Sequence, residues 1–147
     1  MSDEECMMLA YEQALLAKEH DEVPIGVVIV KDGKVIAQAY NQKEQNHDVT
    51  AHAEILAIQQ ASQSLGTWHL DDCTLYSTLE PCLMCSGAII QSRMKRVVYG
   101  ASGNRWEGLS SYLTKHEFNH YPLVESGVLE EKCSSLLSKY FKEKRHK

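Results

Sequence analysis

The sequence predicts an α/β fold, a five-stranded mixed sheet with helices on both faces in a three-layer α/β/α sandwich. Three observations lead there. An apolar stripe at helical spacing opens the chain, Asp32-Gly33 joins two runs rich in β-branched residues, and strand-like and helix-like segments alternate from residue 53 onward. Alternation of that kind requires crossovers, so the later strands are expected to lie parallel.

Residues 2–20 read as a helix. Ser2-x-x-Glu5 has the form of a capping box, and Met7, Ala10, Ala14 and Ala17 form the stripe. Residues 21–24, ending at Pro24, break it. Strands follow at 25–30 and 35–40, and Gly26 inside the first marks a close approach by another backbone or a ligand. Residues 41–49 are polar and loop-like. A helix over 53–64 ends at Gly66, a strand runs from 73 to 78, and a helix over 82–93 leads to a strand over 96–99 closed by Gly100. Residues 101–108 form a loop, 109–117 a short helix and 122–125 a fifth strand. A closing amphipathic helix over 129–144 turns Cys133, Leu136, Leu137, Tyr140 and Phe141 inward.

A chain of 147 residues is about one domain's worth, and 44% hydrophobic with 24% charged residues is an ordinary globular balance. The acidic start Ser2-Asp3-Glu4-Glu5 lacks the plan of a signal peptide, and no apolar run approaches the roughly 20 residues of a membrane span, so no membrane partner and a cytoplasmic location are expected. The five cysteines are an odd number; Cys6, Cys73 and Cys133 read as buried small apolar residues. The net charge of −5 is unevenly spread: residues 1–131 carry −10 and residues 132–147 carry +5. Arg93, Lys95, Arg96 and Arg105 form a second basic stretch with no acid between Glu80 and Glu107. Such stretches are either solvated faces or phosphate-contacting surfaces.

The chemistry concentrates in Thr50-Ala51-His52-Ala53-Glu54 and Glu80-Pro81-Cys82-Leu83-Met84-Cys85. A catalytic zinc takes three protein ligands and keeps a fourth tetrahedral position for water, and one imidazole with two thiolates is an accepted set. Water so held drops from a pKa of 15.7 toward about 7. Glu54, not needed as a ligand, is left to carry the proton. Cys82 and Cys85 share a face if Pro81 opens a helix. His52 and Glu54 are about 200° apart in a helix interior, so they converge only at a helix start, for which Thr50 is the predicted cap. A lone C-x-x-C is most often a structural zinc corner or a redox pair, and a lone H-x-E carries no signal. Together, in this order and with Pro directly before the first Cys, they match the zinc-deaminase pattern H-x-E…P-C-x-x-C.

From about residue 22 to 141 the chain closely resembles the bacterial tRNA adenosine deaminases of the cytidine deaminase-like superfamily. The likeness is densest at Glu22-Val23-Pro24-Ile25-Gly26, across residues 50–54 and 74–87, and at Arg96-Val97-Val98-Tyr99-Gly100 and Asn119-His120. The resemblance implies one CMP/dCMP-type deaminase domain over residues 1–147, one Zn²⁺ per subunit, a homodimer, and conversion of adenosine to inosine at the wobble position of a tRNA anticodon. By that likeness His52, Cys82 and Cys85 hold the metal and Glu54 is catalytic, protonating N1 of adenine and then helping ammonia leave. Asn41 and the Ala53 backbone hold the base, and Val23, Pro24 and Leu79 line its pocket. Asn119, His120, Tyr140, Phe141 and Lys142 meet the anticodon loop, with Arg105 and Arg145 as further RNA contacts. The chain departs from the family pattern where Val49 replaces a usual Pro, where residues 103–111 are shortened and lack the usual acidic residue at their start, and where Tyr121 replaces a common basic residue.

Two rival readings follow from the same residues. One is deamination of a free base such as guanine, since the metal signature is shared. The other is a silent zinc module that binds RNA or a partner subunit, against which Glu54 counts.

Overall fold

The computed structural model describes residues 1–103 and 106–145. Ten elements appear in the order α1 (Asp3–Glu19), β1 (Gly26–Lys31), β2 (Lys34–Tyr40), α2 (Ala53–Leu65), β3 (Cys73–Leu79), α3 (Leu83–Gln91), β4 (Arg96–Ala101), α4 (Leu109–Lys115), β5 (Leu123–Ser126) and α5 (Glu130–Arg145). The sheet has the order β2-β1-β3-β4-β5; β1 is antiparallel to both neighbours, and β3, β4 and β5 are parallel. The predicted α/β class and the parallel later strands are both borne out.

Local chemistry explains the elements. Ser2 and Glu5 form the capping box of α1, each side chain meeting the other residue's amide. Asp32 and Gly33 both adopt positive φ, at 53° and 74°, which is what a two-residue hairpin with the sheet's own twist requires. Alternation along β1 sends Val27 and Ile29 into one core and Val28 and Val30 into the other. Helices α2, α3 and α4 cover the first face through Ala57, Ile89 and Leu109, and α1 and α5 cover the second through Met7, Ala10 and Cys133. A strand buried on both faces needs no polar alternation, which is why residues 26–30 read as a continuous apolar run.

Gly26 is a close approach between elements. A Cβ built there would lie 2.0 Å from the Ala10 carbonyl oxygen and 2.4 Å from the Ala14 nitrogen, so α1 rests directly on β1. At the other end of α1, Arg96 on β4 holds Asp3 at 2.7 Å and Glu125 on β5 at 2.8 Å, while the Tyr76 hydroxyl donates to Asp3 at 2.8 Å. Cys6, Cys73 and Cys133 are free and buried.

Three local expectations shift. Phe141 is 45% exposed, because the inward stripe of α5 ends at Tyr140. Helix α3 begins at Leu83 with Cys82 as its N-cap, one position later than expected. Thr50 does not cap α2: its hydroxyl donates to Asp48 at 2.7 Å, and His52 takes the N-cap position. No helix among the described residues is long and apolar enough to cross a membrane.

Candidate metal centre and substrate pocket

Two helix starts meet at the site. His52 is the N-cap of α2, with extended backbone at φ −75° and ψ 149°, and Glu54 is the second helical residue after it. The extended cap frees the imidazole from the helical rotation that would separate it from Glu54. Strand β3 delivers residues 80–82 to the same place, where Cys82 caps α3 and Cys85 lies in its first turn. The positive end of α3 favours negative charge on both sulfurs.

The His52 Nδ1 atom lies 3.7 Å from Cys82 Sγ and 3.5 Å from Cys85 Sγ. Ligand atoms of the three residues all fall within 4.8 Å of one another. Tetrahedral zinc, with Zn–S of about 2.3 Å and Zn–N of about 2.0–2.1 Å, places sulfur and nitrogen ligands roughly 3.5–3.6 Å apart. Donor types and spacing therefore fit such an ion, and three donors leave one corner of a tetrahedron unfilled.

The electrostatics are those of a crowded, half-buried cluster. A hydrogen bond from the Cys85 thiol, aided by His52, holds Cys82 down at about 4. That same hydrogen bond, burial and the neighbouring Glu54 and Cys82 charges push Cys85 well above the ordinary thiol range. The Cys82 sulfur raises His52. Glu54 is only 4% exposed, and burial lifts its carboxyl to about 7, where it can both accept and return a proton near neutrality.

A cavity of about 160 Å³ opens beside the cluster, lined by Val23, Ile25, Asn41, Lys43, His52, Ala53 and Glu54. Asn41 follows directly on β2 and is buried. Its Nδ2 donates to the Val23 carbonyl at 3.5 Å and its Oδ1 accepts from the Lys43 amide at 3.4 Å, both long contacts that a ligand can compete with. Pro24 is buried and Leu79 packs into the core under α1, so neither is among the residues lining this cavity. Ile25 and Lys43 were not singled out from sequence; their only signals were adjacency to Val23-Pro24 and a place two residues after Asn41.

A larger cleft, of about 540 Å³, is lined by His20, Asp21, Glu44, Gln45, Tyr140 and Lys144. It holds no metal-ligand set, and Lys144 there is paired with Asp21. The chemistry belongs to the smaller cavity. Of the residues proposed to meet RNA, Asn119 is exposed and its carbonyl accepts from Arg93 at 3.1 Å. His120 Nε2 lies 2.7 Å from the Met94 carbonyl. Phe141, Lys142 and Arg145 are exposed on the last turns of α5, and Arg105 lies outside the described residues.

Comparison with known proteins shows the family. The model of the MafB19-like deaminase family matches residues 1–137. A tRNA-specific adenosine deaminase of Bacillus subtilis (strain 168) is 47% identical, over 99% of this chain and 92% of its own. A solved structure from work on A-to-I editing by tRNA:A34 deaminases at the wobble position superposes with a TM-score of 0.83 at 42% identity, covering 90% of this chain and 99% of that one. A guanine deaminase structure from Bacillus subtilis gives a TM-score of 0.67 at 43% identity, over 69% of this chain and 66% of that one.

Proposed function

This chain belongs to the MafB19-like deaminases and, within them, to the tRNA-specific adenosine deaminases, and on that premise we propose that it hydrolyses adenosine to inosine at the wobble position of a tRNA anticodon, releasing ammonia. The observation that carries the reading is the buried Glu54 carboxyl in one small cavity with His52 and Asn41.

His52, Cys82 and Cys85 would hold one Zn²⁺ per subunit. When bound, the metal supplies a Lewis acid that makes water a usable nucleophile at neutral pH. The rest is done by side chains. Asn41 hydrogen-bonds the base and the Ala53 backbone orients it against the wall formed by Val23 and Ile25. Water adds at C6 of adenine, and Glu54 takes the proton it gives up and delivers it to N1. Glu54 then transfers the remaining proton of that water to the departing amino group, so one water enters and one ammonia leaves. Asn119, His120, Tyr140, Phe141, Lys142 and Arg145 serve the anticodon loop, and the enzyme works in the cytoplasm as a homodimer.

Support for the tRNA reading over the guanine reading comes from coverage. The adenosine deaminase relative matches 99% of the chain at 47% identity, whereas the guanine deaminase match at 43% spans 69%. The experiment is to incubate the zinc-loaded protein with total tRNA and map inosine by sequencing. Inosine confined to position 34 is expected. Its absence from every tRNA with a wobble adenosine, alongside turnover of free guanine, would overturn the proposal.

A further inference from the structure

One wall of the pocket is made by a loop that is tied down at its base but exposed along its outer part. Residues 43–50 are all exposed and belong to no helix or strand, yet the loop carries Asn41 and Lys43 into the cavity. Most of its hydrogen bonds are internal, from Asn46 to Gln42, from Asp48 to Lys43 and from Thr50 to Asp48. These fix its shape without fixing its position.

The base of the loop is held by the Asn41 amide on the Ile25 carbonyl at 3.1 Å and the Gln42 amide on the Ala51 carbonyl at 2.9 Å, and the position of its outer part comes from Glu22. This residue is 1% exposed, and its two carboxylate oxygens separately accept the amides of consecutive loop residues, Oε1 from Glu44 at 3.0 Å and Oε2 from Gln45 at 2.7 Å. The backbone is arranged to bring it there. Asp21 turns out of α1 with φ of 59°, and the Glu22 amide returns to the Ala17 carbonyl at 2.9 Å, which aims the side chain inward. A buried carboxylate is costly unless donors are aimed at it, and charge-assisted bonds to amides are about twice as strong as neutral ones. An apolar contact would hold a loop at less cost; a carboxylate fixes where two particular amides sit.

We infer that Glu22 is a positioning residue for substrate binding, its buried carboxylate clamping the Glu44 and Gln45 amides so that Asn41 and Lys43 are held as one wall of the pocket. The inference rests on the proposed deaminase reading. Glu22 touches neither base nor metal in this scheme; it acts through the loop. Contacts made by Asn41 and Lys43 hold the substrate in both ground and transition states, so their misplacement shows in KM.

The test compares Glu22→Gln, which keeps volume and one acceptor, and Glu22→Ala with the wild-type protein on an anticodon stem-loop. KM is expected to rise about tenfold in both variants with kcat within about twofold. Combined with Asn41→Ala, the loss is expected to be smaller than the product of the single losses, because both changes remove the same contact. Native-state hydrogen exchange reads the clamp without substrate: the Glu44 and Gln45 amides lose protection while those of α1 keep theirs. Unchanged KM, a fall in kcat at constant KM, full additivity with Asn41→Ala, or unchanged amide protection would each overturn the inference. A wild-type protein that makes no inosine defeats the proposed function itself, whereas active wild type with indifferent Glu22 variants defeats only this step.

Discussion

His52 presents Nδ1 to the Cys85 sulfur at 3.5 Å across the gap between the starts of α2 and α3. Neither helix supplies the cluster alone, and each residue sits where the backbone has not yet closed its first turn. Replacing Cys85 by Ala removes one of three donors. Metal affinity should fall by more than about 100-fold, beyond what losing an outer partner of a ligand costs, and deamination should disappear with it. Metal content after dialysis, measured beside activity, checks this. A variant that keeps stoichiometric zinc would show that Cys85 is not a ligand.

Glu54 is expected to separate chemistry from metal binding. Glu54→Gln preserves shape and burial but removes the group that accepts a proton, so kcat should drop by roughly 10²–10⁴ or more while zinc content stays at the wild-type level. Single-turnover assays on an anticodon stem-loop measure the first, and metal analysis the second. Retention of more than a tenth of wild-type kcat would remove Glu54 from the proton path.

The strands themselves, the first hairpin and the parallel run of the later strands were legible in the chain because their signals are local, whereas the strand order and the antiparallel pairing of β1 with β3 were not. Asp32-Gly33 signals a hairpin between two β-branched runs, and the β-branched content of residues 26–30 marks a strand, which the structure buries on both faces. Features that depend on competition or distance were harder to read. Thr50 has the residue type of a cap, but Asp48 two residues earlier captures its hydroxyl, which leaves His52 as the cap. Phe141 follows the inward Tyr140 by one position, about 100° round the helix, and falls on the solvent side. The motif residues of the candidate metal centre stood out by type and spacing. Lys43 and Glu22 did not, since a loop cation and a single acid beside a helix end acquire meaning only from partners remote in sequence.

Packing at Gly26 makes a stability prediction independent of the chemistry. In Gly26→Ala the new methyl meets backbone atoms of α1, the Ala10 oxygen and the Ala14 nitrogen, so no side-chain rotation relieves it. Moving α1 off the sheet should cost about 3 kcal/mol, the upper end for overpacking, which for a chain of this size lowers Tm by roughly 6–12 °C. Calorimetry of the variant tests it. A Tm within a degree of wild type would show that α1 slides over β1 freely, contrary to the contact described.

Arg96 ties the first turn of α1 to two strands through Asp3 and Glu125, and this tie should be lost in acid. Its hydrogen bond holds the Asp3 carboxyl below the ordinary carboxylate range, with Tyr76 adding to the effect. A carboxyl depressed in the folded state binds its proton more readily when the chain is unfolded. Its stabilisation is therefore complete above the unfolded value of about 3.9 and fades as pH falls through the lower folded value. Asp3 is partly exposed, so the contribution is that of a screened pair, about 1 kcal/mol. Asp3→Asn should thus be less stable than wild type in urea titrations at pH 7, with the gap closing toward pH 2. A gap that persists undiminished in acid would mean that Asp3 acts through helix capping or packing and not through its charge.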